Sequence, residues 1–227
     1  PTTLGYATIR FARLESLLMF DRRRSNGRSK ANGRERVLVV GTTPDYVDLL
    51  RREHPDECLF LTESRLRLRA REPQPNDREE VLYRGDKQLS AVELLKRHQD
   101  LHGIEVVGVA CFDCESMPLA SLIAKGLRLP YPSSEAVDRC RNKRRMKEFW
   151  KTGGTPTSRF AVVSRFEEAA EFLHYIGRPC ILKPLSGSGS ELVCRVEDED
   201  DCRRSFEGII AGLTMRRTSP LYRSCKE

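Results

Sequence analysis

The 227-residue sequence contains no apolar run approaching the ~20 residues that a membrane-spanning helix needs, so a helical membrane protein is not expected. It also lacks the two common phosphate-binding signatures. No Gly-Lys-Ser/Thr and no G-x-G-x-x-G occurs, which excludes a P-loop and a dinucleotide fingerprint. A lone C-x-x-C, at Cys111 and Cys114, has no second pair and no nearby histidine, so a zinc site is not expected either.

The cysteines do not indicate a disulfide framework. Several of the eight lie inside apolar or helical patterns, where a reduced thiol behaves as a small hydrophobe. We therefore expect free thiols in an intracellular compartment, and a cytoplasmic protein.

Acidic residues are scarce in residues 1–34. This segment carries eight basic side chains against two acidic ones, and so holds +6 of the net charge of +7. Its composition predicts a basic, disordered leader that is dispensable for folding. Organelle targeting is an alternative, since Arg- and Ser-rich, acid-poor leaders are typical of transit peptides, and a nuclear or RNA-binding tail is another. Nucleic-acid binding is not expected except through this leader, because the remainder of the chain is almost neutral.

Alternating apolar runs and helical patterns predict a three-layer α/β domain with a parallel sheet over residues 35–133. Strands are predicted at 37–40, 58–61 and 104–110, and helices at 45–53, 91–101 and 119–127. Residues 62–90 are highly charged and predict a surface excursion with an edge strand at 81–83. Ser90, with Glu93 three residues later, predicts a capping box at the start of the second helix.

Residues 134–214 predict an α+β subdomain in the order α-β-α-β-loop-β-α, followed by a tail at 215–227. The predicted helices are 135–151, 165–176 and 198–210, and the predicted strands are 160–163, 180–182 and 192–196. Gly177 is expected to end the middle helix in a left-handed conformation.

The loop between the last two predicted strands is the candidate site. Lys183 stands at the end of a buried strand, and five small residues follow soon after it: Ser186, Gly187, Ser188, Gly189 and Ser190. Glycine allows close backbone approach, successive N–H groups can form a concave nest for an anion, and the lysine adds charge for a polyphosphate. A plain Ser/Gly turn with a solvated lysine is the alternative.

Two carboxylates, Asp113 and Glu115, follow the predicted strand 104–110. They lie at the edge of the sheet where α/β domains place ligands. The other interpretation is a charged pair in a strand-end loop.

These residues together resemble the ATP-grasp superfamily of carboxylate–amine ligases. The resemblance rests on Lys143 in Arg141-Asn-Lys143, on Gly177-Arg-Pro-Cys-Ile-Leu-Lys183-Pro184 and on the Ser/Gly loop, and it covers about residues 36–212. Residues 111–130 are similar to the end of the pre-ATP-grasp domain of that family. The implied fold is a three-layer, parallel-sheet pre-ATP-grasp domain followed by an α+β ATP-grasp subdomain. Lys143 and Lys183 would bind the nucleotide, and residues 186–190 would close over its phosphates.

The resemblance also implies a reaction. In such ligases ATP phosphorylates a carboxylate, and an amine or thiol then displaces phosphate from the acyl phosphate. ATP and Mg²⁺ are the implied cofactors, a small carboxylate and an amine are the implied substrates, and a homodimer is compatible with the family.

The adenine hinge and the magnesium ligands of the family come from a following subdomain, which we expect beyond residue 227. The sequence therefore predicts a truncated chain, inactive by itself, in which no catalytic residue and no metal ligand is assigned. The alternatives are a non-catalytic nucleotide- or partner-binding module and a basic-tailed nucleic-acid adaptor.

Overall fold

The computed structural model describes residues 34–84, 88–177 and 179–216. The predicted leader, apart from Arg34, and the predicted tail from residue 217 onward lie outside these ranges. Among the described helices, none combines the length and the apolar character needed to cross a membrane.

Four parallel strands form the larger sheet, in the order β3-β2-β1-β4. The strands are β1 (Glu35–Val40), β2 (Cys58–Glu63), β3 (Glu80–Tyr83) and β4 (Glu105–Ala110). Their helices are α1 (Pro44–Glu53), the single turn α2 (Ser64–Arg67), α3 (Gln88–His102) and α4 (Met117–Leu127). The predicted strands and the edge position of 81–83 are confirmed, and all four strands end at the same edge of the sheet.

This sheet has helices on both faces because its strands are apolar on both faces. Val39, Cys58 and Phe60 pack on one side against Val47 of α1. The alternate positions face α3 and α4, and this larger cluster includes Leu38, Val40, Leu59, Leu61, Ala91, Leu95, Leu119, Ala120 and Ile123. The predicted three-layer α/β arrangement is confirmed.

A buried ion pair lies within the segment predicted as a surface excursion. The Arg67 guanidinium donates to both carboxylate oxygens of Glu80, with Nε 3.0 Å from Oε2 and Nη2 2.5 Å from Oε1. Thr62 Oγ1 donates to the same carboxylate at 2.6 Å. Both charged side chains are more than nine-tenths buried, so this pair joins β2, α2 and β3 in the interior.

A second, two-stranded antiparallel sheet follows, made of β5 (Cys180–Leu182) and β6 (Cys194–Val196). Four helices accompany it: α5 (Ser134–Arg141), α6 (Lys143–Thr152), α7 (Phe166–Ile176) and α8 (Glu199–Met215). One face of the sheet packs on α7 and α8 through a core that includes Ala169, Leu173, Val196 and Cys202. Gly177 ends α7 with φ of 64°, as predicted, and Asp198 caps α8 by accepting from the Asp201 N–H.

Four predicted details are wrong. The helix predicted at 135–151 is two helices, because Asn142 leaves the helical conformation (φ −96°, ψ 109°). The strand predicted at 160–163 is not formed, and within the described ranges the second sheet contains only β5 and β6. Ser90 cannot cap α3, since that helix begins two residues earlier at Gln88. The predicted strand 192–196 is paired only at Cys194–Val196, since Leu192 has a positive φ of 54°.

Candidate functional site

The loop that joins β5 to β6 has an unusual backbone. Gly187 has φ of 123° and Gly189 has φ of 64°, values that favour residues without a Cβ. Ser190 and Leu192 also have positive φ, at 58° and 54°. In anion-binding nests, left-handed positions of this kind let successive backbone N–H groups converge on one concavity.

Lys183 lies at the start of this loop, immediately after β5. Cys180 and Leu182 face the core with α7 and α8, whereas Ile181 is 56% exposed on the opposite face. Lys183 continues this alternation and is exposed. The outer face of the small sheet therefore carries an apolar side chain followed by a cation, next to the loop.

Lys143, the first residue of α6, contacts the base of the same loop. Its backbone N–H donates to the Leu185 carbonyl at 3.0 Å. Its Nζ donates to the carbonyl oxygens of Leu185 at 3.5 Å and Gly187 at 3.3 Å. The structure thus brings Lys143 and the Ser/Gly loop together, although 42 residues separate Lys143 from Leu185 in the sequence.

The break between α5 and α6 creates this contact. Asn142 is buried, and its side chain accepts hydrogen bonds from the Arg144 and Arg145 N–H groups, so it caps α6. Asparagine is a preferred N-cap residue, and this preference was the signal in the sequence that could have located the break. The break leaves the Lys143 N–H, one of the unpaired donors of a helix start, available to the loop.

Ser186 lies between the two carbonyls that Lys143 contacts. It is 1% exposed, and its Oγ has no hydrogen-bond partner among the described residues. A buried hydroxyl left without a partner costs about 1–3 kcal/mol. A phosphate oxygen or an ordered water at this point would remove that cost.

The tip of the loop contacts the larger sheet. Ser188 Oγ donates to Glu115 Oε1 at 3.4 Å, across 73 residues of sequence. Glu115 lies in the segment that follows β4, so the Ser/Gly loop and the carboxyl edge of the parallel sheet are neighbours. The two carboxylates noted in the sequence are therefore near the candidate site, and Ser188 is the residue that links them to it.

The pKa of the Asp113 carboxyl is raised, chiefly by burial and further by the charge of Glu115. A hydrogen bond from the Ser116 N–H to Asp113 Oδ1, at 2.6 Å, lowers this pKa but does not reverse the shift. Burial also raises the pKa of the Cys111 thiol to about 11. The pKa of Tyr131 is raised to about 12, again chiefly by burial and further by the neighbouring Cys111. This part of the site is therefore poorly solvated.

Gly41, at the end of β1, is packed closely against the same segment. It has φ of 60°, and a Cβ added there would overlap the Cβ and Oγ of Ser116 and lie 3.0 Å from Asp113 Oδ2. Neither Gly41 nor Ser116 could be identified from the sequence, because a contact between the ends of two strands has no local signal.

Within the described ranges, no group of three or more His, Cys, Asp and Glu side chains could hold a metal ion.

No protein-family profile matches the chain. Among curated proteins, it is 29% identical over 98 residues to "Uncharacterized protein y4rH" of Sinorhizobium fredii, a match that covers 43% of this chain and 20% of that protein. It is 32% identical over 84 residues to formate-dependent phosphoribosylglycinamide formyltransferase of Nitratiruptor sp., covering 37% of this chain and 21% of that enzyme. These matches thus span about a fifth of the length of each relative.

The matches to solved structures cover a larger share of this chain than the matches to curated proteins do. The biotin carboxylase domain of Hydrogenobacter thermophilus 2-oxoglutarate carboxylase, solved with Mg-ADP, ADP and bicarbonate, matches with a TM-score of 0.52 and 19% identity over 79% of this chain and 41% of that one. The L-amino acid ligase of Bacillus licheniformis matches with a TM-score of 0.51 and 14% identity, covering 80% of this chain and 42% of that one. The ADP complex of an N5-carboxyaminoimidazole ribonucleotide synthetase also has a TM-score of 0.51, with 13% identity, covering 78% and 44%. These neighbours are ATP-grasp proteins.

The chain has the ATP-grasp fold. The resemblance inferred from the sequence is thereby confirmed at the level of the fold, over about two-fifths of the length of each ATP-grasp neighbour. The nucleotide role of Lys143, Lys183 and residues 186–190, and the domain boundaries at residues 34, 133 and 214, remain predictions.

Proposed function

We propose that this chain supplies the phosphate-binding half of the nucleotide site of an ATP-dependent carboxylate–amine or carboxylate–thiol ligase. The proposed reaction passes through an acyl phosphate formed from ATP and a small carboxylate. The ATP-grasp fold and the ADP-containing neighbours support this choice.

The observation that carries the proposal is the convergence of two lysines and one buried hydroxyl on a single Ser/Gly loop. Lys183 is exposed where the loop begins, Lys143 bonds to carbonyls at its base, and Ser186 Oγ has no partner in the described part of the chain. A polyphosphate needs fixed positive charge and N–H donors placed where its negative charge develops during transfer. The residues present therefore fit the phosphates of a nucleotide.

Each group has a defined task in this account. The Lys183 ammonium offsets the charge of the phosphates next to the exposed face that bears Ile181. The loop, with left-handed positions at Gly189 and Ser190, encloses the phosphates and excludes water, so that an acyl phosphate is not hydrolysed. Magnesium, when bound, would supply further charge neutralisation at the phosphates.

We further propose that the 227-residue chain does not complete the reaction by itself. By resemblance, the adenine hinge and the magnesium ligands belong to a following subdomain. Losing several charge-assisted contacts, each worth about 1.5–3 kcal/mol, would reduce a micromolar affinity of about 8 kcal/mol to a millimolar one. An assay for ADP release with carboxylates and amino acids should give no turnover, and measurable release would contradict this part of the proposal.

A lysine-reactive acyl-phosphate derivative of ATP tests the phosphate site directly, because it acylates lysines that lie beside bound phosphates even when binding is weak. Peptide mapping should show Lys183 modified in preference to Lys96, an exposed lysine of α3, and excess ATP should suppress the labelling of Lys183 alone. Equal labelling of the two lysines, unaffected by ATP, would refute the proposed function.

A further inference from the structure

We propose that His98 and His102 form a binding site for a divalent transition-metal ion, of the class to which Zn²⁺, Ni²⁺ and Cu²⁺ belong. The site lies at the end of α3 and does not depend on the proposed function. β4 begins at Glu105, three residues after α3 ends, so the two histidines lie at the edge of the parallel sheet where its strands begin. The Ser/Gly loop contacts the segment that follows β4, at the opposite edge.

The spacing and contact of the two rings are the first observation. Two of the four histidines in the sequence are four residues apart on one helix, and residues at this spacing lie on the same face, one turn apart. The rings of His98 and His102 have centroids 4.5 Å apart and planes inclined at 52°. Two imidazoles this close can bind one metal ion together, as the histidines of helical zinc motifs do at the same spacing.

The hydrogen bond of His98 is the second observation. Its Nε2 lies 3.4 Å from the Arg78 carbonyl oxygen. Because a carbonyl can only accept, Nε2 carries the proton and Nδ1 carries the lone pair that a metal ion needs. Histidines that ligate metals almost always donate their other ring N–H to a carbonyl, a carboxylate or water, which fixes the orientation of the ring. Arg78 gives His98 this kind of partner.

The charge state of His98 also suits metal binding. A metal ion requires the neutral imidazole, since a proton competes for the same lone pair. The pKa of His98 is lowered, chiefly by burial, and the neighbouring His102 lowers it further. The hydrogen bond to the Arg78 carbonyl and the charge of Asp77 act in the opposite direction without reversing the shift. The ring is therefore predominantly neutral at pH 7.

The surroundings favour a cation of this class. His102 is the last residue of α3, and the C-terminal end of a helix carries a partial negative charge. Imidazole nitrogens suit Zn²⁺, Ni²⁺ and Cu²⁺, whereas Mg²⁺ and Ca²⁺ prefer oxygen ligands. In the described part of the chain, no third His, Cys, Asp or Glu completes a metal-binding group with the two rings. Water would fill the remaining coordination positions, so we expect an exchangeable ion.

A titration with zinc chloride, followed through the ¹⁵N shifts of the histidine side chains, tests the site, because a metal ion shifts the nitrogen that it binds. The resonances of His98 and His102 should change together and saturate, with Nδ1 as the ligating atom of His98. His174, an exposed histidine of α7, should not change at the same concentrations. Zinc bound by cysteine thiols would not produce this pattern.

Single substitutions measure the contribution of each ring. Removing even an outer-shell partner of a metal ligand lowers affinity about 10–100-fold, so His98→Gln and His102→Gln should each weaken zinc binding by at least about tenfold. His174→Gln is the matched control and should leave the affinity unchanged. At a zinc concentration about 100 times the dissociation constant, the thermal midpoint of the wild type should rise by about 5–10 °C. Neither variant at the site should show this rise.

Several outcomes would overturn the inference. One is zinc that shifts neither ring, or shifts only one of them. Another is an equal zinc affinity for the wild type and a folded His98→Gln or His102→Gln variant. A third is an identical shift of both rings with magnesium chloride, since that would show a general response to divalent ions rather than ligation by nitrogen.

Discussion

Replacing Gly41 by alanine tests how tightly the carboxyl edge of the parallel sheet is packed beneath the candidate site. Gly41 has φ of 60°, a conformation that costs roughly 1–2 kcal/mol for a residue with a Cβ. The new Cβ would also overlap Ser116, and relieving such overpacking typically costs about 1–3 kcal/mol. We expect Gly41→Ala to destabilise the protein by about 2–5 kcal/mol.

Thermal unfolding followed by circular dichroism measures this loss. A change of 1 kcal/mol moves the midpoint by about 2–4 °C in a protein of this size, so a fall of roughly 5–15 °C is expected. Gly103→Ala is the matched control, because Gly103 has φ of 61° and no atom within 4 Å of an added Cβ. It should show only the backbone cost, a fall of about 2–8 °C.

A double-mutant cycle isolates the steric part. In a Ser116→Gly background, the overlapping atoms are absent, and Gly41→Ala should cost no more than Gly103→Ala. If Gly41→Ala loses the same stability with and without the Ser116 side chain, the packing described here is refuted. It is also refuted if Gly41→Ala and Gly103→Ala lose the same stability in the wild-type background.

Three further outcomes are expected. Glu80→Gln should destabilise the protein by about 3–5 kcal/mol in denaturant unfolding, since it leaves the buried Arg67 charge uncompensated. Glu79→Gln, which breaks the less buried pair with Arg51, should cost about 1 kcal/mol or less. Similar losses for the two variants would show that burial does not control the stability contribution of the Arg67–Glu80 pair. The raised folded-state pKa of Asp113 means that its contribution to stability is fully present below the unfolded value of 3.8 and is lost as pH rises through the folded value. The midpoint of Asp113→Asn relative to the wild type should therefore rise as the pH increases above about 4, and a difference independent of pH would count against it. Deleting residues 1–33 should leave the thermal midpoint nearly unchanged. Arg34 must be kept, because its carbonyl accepts a hydrogen bond from the Glu105 N–H at 2.9 Å. A fall of many degrees would show that the leader is part of the folded core.

The larger sheet could be predicted from the sequence because its signals are local. The runs at 37–40 and 58–61 are apolar at every position, and only a strand with two buried faces accounts for that pattern. The small sheet was also predictable at Cys180–Leu182, where Gly177 ends one helix and a lysine and a Ser/Gly loop follow. Its partner strand was predicted two residues too long, since the left-handed conformation of Leu192 has no sequence signature.

The predicted strand at 160–163 is wrong because its formation does not depend on local signals alone. Its apolar residues suit a strand, but strand formation depends on tertiary pairing, and within the described ranges β5 and β6 pair only with each other. Likewise, the buried Arg67–Glu80 pair could not be predicted from the composition of residues 62–90. Charged residues are seldom buried unless they are paired, and this pairing is set by the tertiary structure.

The candidate site was predictable as a set of residues but not as a geometry. Lys183 and the Ser/Gly loop are adjacent in sequence, whereas the contacts from Lys143 and Glu115 to that loop span 42 to 73 residues. The direction of the Lys143 side chain, toward carbonyls rather than solvent, depends on the helix break at Asn142. No pattern within a single helix shows that arrangement.

An NMR titration with Mg-ATP tests the central claim most directly, since it shows where on the chain the nucleotide binds. The largest shift changes should fall on Lys183 and residues 186–190, with a dissociation constant in the millimolar range. Lys183→Met should abolish these changes, whereas Lys96→Met should not. Shift changes concentrated elsewhere, or unchanged binding by Lys183→Met, would contradict the claim that this loop and lysine form a nucleotide phosphate site.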